Sequence, residues 1–202
     1  MPTYANQVRH KDQKQELDTS RVHSTIPKGA FNPPHQEGAN SDNWVYPSEQ
    51  MFYNAMKKKG WDPKEQEMST IVKIHNAVNE QSWREVMRWE SLHQNECANP
   101  TLVKFQGRPK DMSPKASFKS MMGYTAPFDR HDWIVDRCGV QVRYIIDFYR
   151  GPSTPEKPIS IHLDVRPALD SFSSVYDRVV ASCTGLPNFD QQKQQQSQQK
   201  KQ

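Results

Sequence analysis

The chain of 202 residues carries 27 Lys and Arg against 23 Asp and Glu, a net charge of +4, and its mean hydropathy is −0.95. The last seventeen residues hold three Lys and one Asp, so they account for +2 of this charge and the rest is close to neutral. We therefore expect no nucleic-acid partner, which would require clustered cations, and no helical membrane span, which requires ~20 consecutive apolar residues. Peripheral association with a membrane stays open.

The two ends of the chain differ in composition from its middle. Residues 1–42 have scattered charges, several Pro and Gly and no periodic apolar pattern, which predicts a flexible arm. Acidic residues in this arm are not typical of a mitochondrial presequence. Residues 186–202 are mostly Gln and Lys, a composition that predicts a disordered tail. Residues 43–185 are the predicted folded domain.

Helix signals dominate the first half of that domain. Ser48 is a good N-cap residue, and Gly60 follows three lysines, so the sequence predicts a short helix between them. Residues 69–93 then show helical periodicity. We expect Asn76 or Asn79 to divide this segment into two helices, because Asn is favoured as a cap.

The second half of the domain mixes strands and helices. Ser113 followed by proline predicts a brief helix, and Cys138-Gly139 lies between two segments rich in β-branched and aromatic residues, which predicts an antiparallel hairpin. Further strands are predicted over 101–105 and 159–165. A last helix is predicted over 167–181, with an apolar face packed in the core made of Leu169, Phe172, Val175, Tyr176 and Val179. The strands are too few and too local for a doubly wound sheet, so the predicted fold class is α+β, a single domain of helices and a small antiparallel sheet.

The cysteines exclude several metal and redox motifs. Cys97, Cys138 and Cys183 are widely spaced, and no C-x-x-C pair exists, so zinc-knuckle and thioredoxin-like sites are excluded. A C-x-x-C-H sequence is also absent, so this chain does not itself carry covalent c-type haem.

One histidine lies among apolar helix positions. In a 3.6-residue period Ile71, Ile74, His75 and Val78 share one face. A histidine in such a place is either a core residue with one hydrogen-bond partner or a neutral imidazole that binds a metal or haem iron while its other nitrogen is held. Periodicity leaves both interpretations open.

Several longer motifs occur in a fixed order: WVYPSEQMF at 44–52, IHN at 74–76, NEQSW at 79–83, PFDRHDW at 127–133 and LDVRPALDS at 163–171. Taken together they resemble the holocytochrome c synthase family, also called cytochrome c haem lyases, from about residue 44 to residue 178. The arm departs from many family members because it has no cysteine, and so lacks their Cys-Pro haem-regulatory motifs.

The resemblance implies an enzyme, a lyase. Such enzymes join the vinyl groups of ferrous haem b to the C-x-x-C-H cysteines of apocytochrome c, or of cytochrome c1, by thioether bonds. It also implies a location in the mitochondrial intermembrane space, peripheral on the inner membrane. The alternatives are a non-catalytic haem-binding or haem-delivery protein and an α+β interaction module.

The resemblance also implies site residues. The histidine of the IHN motif, His75, corresponds to the axial ligand of the haem iron and is the predicted catalytic and metal-binding residue. Trp44 is tied to haem binding, whereas Glu80, His131 and Arg137 are associated with the integrity of the haem site. By their chemistry, His131, Arg137 and the adjacent Arg130 either pair with the haem propionates or form a surface ion-pair cluster. Similarly, Trp44 either stacks on a planar ligand or covers the core, and Glu80 is either a first-turn carboxylate or a group that orients a histidine.

Overall fold

The computed structural model describes residues 6–30, 33, 36, 41–108, 111–152, 154 and 159–186. Its strands and α-helices in chain order are β1 (His23–Pro27), β2 (Asn43–Val45), α1 (Glu49–Lys58), α2 (Met68–Glu90), β3 (Thr101–Gly107), α3 (Pro114–Met121), β4 (Asp129–Arg137), β5 (Val140–Arg150), β6 (Ile161–Pro167) and α4 (Phe172–Thr184). The α+β class is confirmed. Cα proximity groups the chain into a first unit, Met1–Gln81, and a second unit, Ser82–Gln202.

In the first unit, α1 begins and ends where its sequence signals predict. The Ser48 side chain accepts a hydrogen bond from the backbone N–H of Met51, and Glu49 follows in the first turn. Beyond the helix, Gly60 has a φ of +82°, a conformation that glycine adopts without steric cost. The buried side chains of Tyr53, Met68 and Val72 form the core cluster between α1 and the start of α2.

Helix α2 is continuous, so the predicted break at Asn76 or Asn79 is wrong. Asn79 is buried inside the helix, and its side-chain nitrogen lies 3.2 Å from Nδ1 of His75, one turn earlier. The amide therefore has a side-chain partner within the helix and does not cap a new one, which explains why a good capping residue tolerates this position.

Part of the segment predicted as a flexible arm is a strand. β1 pairs antiparallel with β2, with His23 opposite Val45 and Pro27 opposite Asn43. The strand has only five residues, and charged and polar residues precede it, so no apolar period marks it in the sequence. The predicted tail lies outside the described residues from position 187 onward.

The second unit contains a four-stranded antiparallel sheet in the order β3-β4-β5-β6. The predicted hairpin is confirmed: Arg137 lies opposite Val140, and the turn residues Cys138 and Gly139 have φ of +47° and +98°. Two positive φ values are what a two-residue hairpin turn of type I′ requires. The largest fully buried side chains of the sheet, Trp133 and Tyr144, are cross-strand neighbours in β4 and β5.

A disulfide joins Cys97 to Cys138, with the two Cα atoms 5.6 Å apart. The bond ties the chain after α2 to the turn of the β4-β5 hairpin. Cysteine spacing alone does not predict this pairing, and no C-x-x-C pair occurs in the chain to suggest it. Cys183 is a free, exposed thiol.

Helix α4 is turned the opposite way from the prediction. Ser171 caps the helix by accepting from the N–H of Ser174, and the buried side chains of α4 are those of Ser174 and Asp177. The predicted core face is exposed instead: Phe172 is 95% and Tyr176 69% accessible. Asp177 accounts for the orientation, because its carboxylate lies 2.9 Å from Nε2 of His93 and is 4% exposed.

Candidate functional site

His75 lies half-buried on α2 among aromatic rings. The ring of Phe52, on α1, packs edge-on with centroids 4.9 Å apart, and the ring of Tyr46, just after β2, is 6.4 Å away. These elements surround the imidazole with apolar surface while part of the residue stays accessible. The neutral form of an imidazole is the form that binds iron.

Two asparagines face the ring nitrogens of His75. Nδ1 lies 3.5 Å from Oδ1 of Asn76 and 3.2 Å from the side-chain nitrogen of Asn79. Nε2 lies 3.3 Å from that same Asn79 nitrogen. An Nδ1–H donating to Asn76 would leave Nε2 as the ligating atom, a tautomer that suits a metal ligand. Binding through Nε2 then requires the Asn79 amide to move away.

Glu80 collects hydrogen bonds from both sides of the β1-β2 pair. Its carboxylate accepts from the Ser24 hydroxyl at 2.6 Å, from the Thr25 backbone N–H at 3.1 Å and from the Thr25 hydroxyl. The Tyr46 hydroxyl donates to it at 2.9 Å. Glu80 thus fastens β1 and the end of β2 to the helix that carries His75. We call Glu80 and these three partners the Glu80 cluster.

The Glu80 cluster shifts two pKa values in opposite directions. Burial raises the pKa of Glu80, but the hydrogen bonds from Ser24, Thr25 and Tyr46 outweigh it, so the pKa lies below its ordinary value. The pKa of Tyr46 is raised, first by burial and further by the charge of Glu80. At neutral pH the carboxylate is therefore ionised and the phenol is protonated, as donor and acceptor require.

Trp44 lies in β2 and is only 2% exposed. The backbone next to it is held on two sides: the Gln36 side chain bonds both N–H and C=O of Val45, and the Arg21 guanidinium donates to the carbonyls of Val45 and Tyr46. The indole is thus a buried side chain in a fixed strand. Stacking on a planar ligand would require movement that uncovers it.

Of the five predicted site residues, the first unit brings together Trp44, His75 and Glu80. Tyr46 connects them, since it follows the strand of Trp44, faces the ring of His75 and bonds Glu80. Sequence reasoning gave Tyr46, Ser24 and Thr25 no site role. Only the adjacency of Tyr46 to Trp44 in the first motif could have indicated one of them.

His131 lies on β4 in the second unit. Its Nε2 is 3.2 Å from the Asp129 carboxylate, and its ring packs edge-on against Phe148 with centroids 5.0 Å apart. The side chain is about a quarter exposed, at 24%. An anionic ligand can therefore reach the His131 side chain, and the contact with Asp129 orients its ring.

Arg137 is differently placed, because its guanidinium is buried in a bidentate ion pair. Nε and Nη2 lie 2.8 and 3.0 Å from the two Glu90 carboxylate oxygens, and the Tyr144 hydroxyl donates to the same carboxylate at 2.6 Å. Burial lowers the pKa of Arg137, but the hydrogen bonds and charge of Glu90 raise it above its ordinary value overall. Arg130 is likewise paired with Asp132. Pairing of either arginine with a haem propionate would require these buried ion pairs to open.

Within the described part of the chain, no group of three or more His, Cys, Asp or Glu side chains is placed to hold a metal ion. The described helices also include none with the length and apolar character needed to cross a bilayer. What the first unit does offer is the half-buried imidazole of His75 among aromatic rings, and one imidazole suits the iron of a haem, which brings its own four nitrogens.

A comparison with known families shows which family the chain belongs to. Residues 1–182 match a family described as cytochrome c/c1 heme lyase, so the chain belongs to the cytochrome c/c1 heme lyase family. The match includes the N-terminal segment that precedes the motifs, and so extends beyond the resemblance seen in the sequence.

Named relatives are similar over most of this chain. A holocytochrome c-type synthase of Gallus gallus is 50% identical over 181 residues, which cover 86% of this chain and 63% of the relative. The Homo sapiens protein of the same name is 49% identical over 86% of this chain and 64% of its own length. The holocytochrome-c synthase of Saccharomyces cerevisiae is 38% identical over 83% of this chain and 68% of its own length. The chain thus spans less than two thirds of the length of the two vertebrate relatives. No solved structure matches it.

Proposed function

We propose that the protein is a holocytochrome c synthase that attaches haem covalently to an apocytochrome. The observation that carries the proposal is the accessible imidazole of His75, set among aromatic rings in a member of the cytochrome c/c1 heme lyase family. The acceptor is an apocytochrome with a C-x-x-C-H motif, either c or c1, and the other substrate is ferrous haem b.

The proposed reaction is an addition. Each cysteine S–H of the acceptor adds across a haem vinyl C=C bond, so that sulfur bonds to the carbon next to the ring and hydrogen goes to the terminal carbon. Two such additions give two thioether bonds and consume no oxidant or reductant. The attacking group is the thiolate, so the substrate cysteines must lose their protons before they react.

His75 contributes by positioning. One axial bond from His75 leaves the opposite axial position for the histidine of the C-x-x-C-H motif, and together they align the vinyl groups with the incoming thiols. Such alignment replaces an encounter in solution by a reaction within one complex, which lowers the barrier by several kcal/mol. Release requires the bond to His75 to break while the product keeps its own histidine ligand.

Glu80 supports His75 as a positioning residue in this proposal. Its cluster holds the β1-β2 pair, which carries Trp44, to α2. The haem site would form on this part of the first unit, with Phe52 and Tyr46 as its apolar wall. His131, in the second unit, stays a predicted haem-binding residue, and Arg137 supports the second unit from within its core.

We place the protein in the mitochondrial intermembrane space, peripheral on the inner membrane. The Cys97–Cys138 disulfide supports an oxidising compartment, because cytosolic thiols are kept reduced. This location would also bring the enzyme to the membrane on which c-type cytochromes act.

The test is co-expression of the chain with apocytochrome c, or with apocytochrome c1, in bacteria that lack a c-type maturation system. Haem that stays on the cytochrome through denaturing electrophoresis is the product. We expect His75→Ala to lower its yield at least about tenfold, which corresponds to ~1.4 kcal/mol of lost positioning. The exposed His162→Ala is the matched control and should leave the yield unchanged.

Covalent haem on one of the two cytochromes would identify the substrate. Soluble protein that binds haem but transfers it to neither cytochrome would overturn the synthase proposal and favour a haem-delivery protein. Equal yields with and without His75 would refute its role as ligand.

A further inference from the structure

Helix α4 exposes the side that an ordinary surface helix buries. Phe172, Val175, Tyr176 and Val179 follow at helical spacing and are all exposed, whereas the buried side chains are Ser174 and Asp177. A contiguous apolar face of this kind on a protein surface marks an interaction site. We call it the α4 face.

Helix α3 carries a second exposed face that mixes apolar and basic side chains. Phe118 and Met122 are 64% and 61% exposed, and they share one side of the helix with Lys115 and Lys119 at spacings of three and four residues. Only Ala116 is buried in α3. The helix therefore presents cations and large apolar side chains together.

A basic cavity borders both helices. Its volume is about 460 Å³, and its charged lining consists of four cations and one carboxylate, namely Arg88, Lys115, Arg166, Arg178 and Asp164. Lys115 comes from α3, and Arg178, Ala181 and Ser182 come from α4. The excess of positive charge makes the cavity suited to an anion such as a phosphate.

Arg178 is the cation in this cavity that is most available. Arg166 is engaged by Asp147 and Asp164, and Lys115 by Asp164 at 2.8 Å. Among the residues that the structure describes, none forms a hydrogen bond or ion pair with the Arg178 guanidinium. Burial and the nearby charge of Arg166 lower the pKa of Arg178, although the charge of Asp164 in the same cavity opposes this shift.

From this arrangement we propose that the α4 face, the exposed side of α3 and the basic cavity dock onto a bilayer surface that contains anionic phospholipids. Apolar side chains enter the headgroup region, and a lipid phosphate is bound beside Arg178. An interfacial helix with Phe and aliphatic residues on one side and Lys and Arg beside them is typical of such binding.

Other occupants of the surface fit less well. The chain after Leu186 contains one aromatic residue, Phe189, among Gln and Lys, so its composition provides little apolar surface to match the α4 face. Its three lysines would add to the attraction for an anionic membrane. A symmetric second copy would bring like charges of α3 and the cavity toward each other, which opposes association.

The proposal gives a surface to the membrane association proposed above and rests on that part of the proposed function. Its test uses neither haem nor cytochrome, so failure here leaves the synthase assay unaffected. The full chain is mixed with vesicles of phosphatidylcholine alone or with added phosphatidylglycerol, and flotation measures the bound fraction. We expect binding to the anionic vesicles, and weaker binding at high salt.

Variants separate the two parts of the surface. Phe172→Ser combined with Val179→Ser should lower the partition constant at least about tenfold, because two apolar side chains leave the interface. Arg178→Gln should lower it about fivefold. The controls are Trp61→Ser, an exposed aromatic of the first unit, and Arg150→Gln, an exposed arginine at the end of β5; both should bind as the parent chain does. Circular dichroism checks that each variant is folded.

Four results would overturn the proposal. The first is equal binding of the parent chain to neutral and anionic vesicles, and the second is full binding by the variant with Phe172→Ser and Val179→Ser. The third is binding of inorganic phosphate at Arg178 by a chain that does not float with vesicles. The fourth is a dimer that dissociates when Phe172 and Val179 are replaced, in a chain that does not bind vesicles.

Discussion

Glu80 satisfies four hydrogen-bond donors with one carboxylate, and these donors come from two separate stretches of the chain. Replacing it by glutamine removes the charge and converts one acceptor oxygen into a donor. We expect Glu80→Gln to lower the free energy of unfolding by about 1–3 kcal/mol. Urea denaturation followed by tryptophan fluorescence measures the loss, and Glu67→Gln, an exposed carboxylate of the same unit, is the control.

The same carboxylate predicts a pH dependence. Its pKa in the folded protein is below the ordinary value of 4.5, so the stability it contributes is present above pH 4.5 and is lost as the pH falls through the folded pKa. The difference in unfolding free energy between the parent chain and Glu80→Gln should therefore shrink as the pH is lowered from 6 to 3. A difference that stays constant over this range would show that the charge of Glu80 does not matter.

Arg137 is a predicted site residue that the structure buries inside the second unit. Its buried pairing with Glu90 leaves an uncompensated carboxylate if the arginine is removed. Arg137→Ala should cost about 3–5 kcal/mol of stability, against little for the exposed Arg150→Ala. A variant with unchanged stability but an altered haem spectrum would indicate direct contact with haem instead.

At the scale of elements, local chemistry explains which predictions succeeded. The caps Ser48 and Ser113, the proline after Ser113 and the turn Cys138-Gly139 all act within a few residues, and each specified its element correctly. The break expected in α2 failed because the partner of Asn79 is a side chain one turn away, and capping rules do not include that competition.

The predicted orientation of helix α4 was wrong for a different reason. Its apolar period is genuine, but periodicity shows only that residues share a face and does not decide which face meets the protein. The hydrogen bond between Asp177 and His93, 84 positions apart, involves residues too distant for the pattern to include. The polar side of α4 packs against the protein, and its apolar side faces outward, where it can bind another surface such as the proposed membrane.

The disulfide makes a prediction at the same scale. Cys97 and Cys138 are 41 positions apart. In the chain-entropy model, closing a loop of that length reduces the entropy of the unfolded chain and so raises its free energy by about 4 kcal/mol. Cys97→Ser should lower the melting temperature measured without reductant, whereas Cys183→Ser should not. Thiol titration of the unreduced parent chain in denaturant should find one free thiol; three would contradict the pairing.

For the whole molecule, the motifs predicted the family, and the helix and strand signals predicted the α+β class. They could not predict the Glu80 cluster, in which Ser24 and Thr25 lie more than 50 residues from Glu80 and come from a segment that has no regular pattern. Nor could they predict that Arg130 and Arg137 would be paired internally. Long-range pairing of polar groups is the part of the fold that no local rule specifies.

The proposed function depends most on a bond between His75 and the haem iron. It is tested most directly by the absorption spectrum of the chain purified after expression with haem supply, compared with His75→Ala and with the control His162→Ala. We predict a Soret band in the parent chain and in His162→Ala, with the band shifted or lost in His75→Ala although circular dichroism shows that variant to be folded. An identical Soret band in folded His75→Ala would contradict the account, because the iron would then have another ligand.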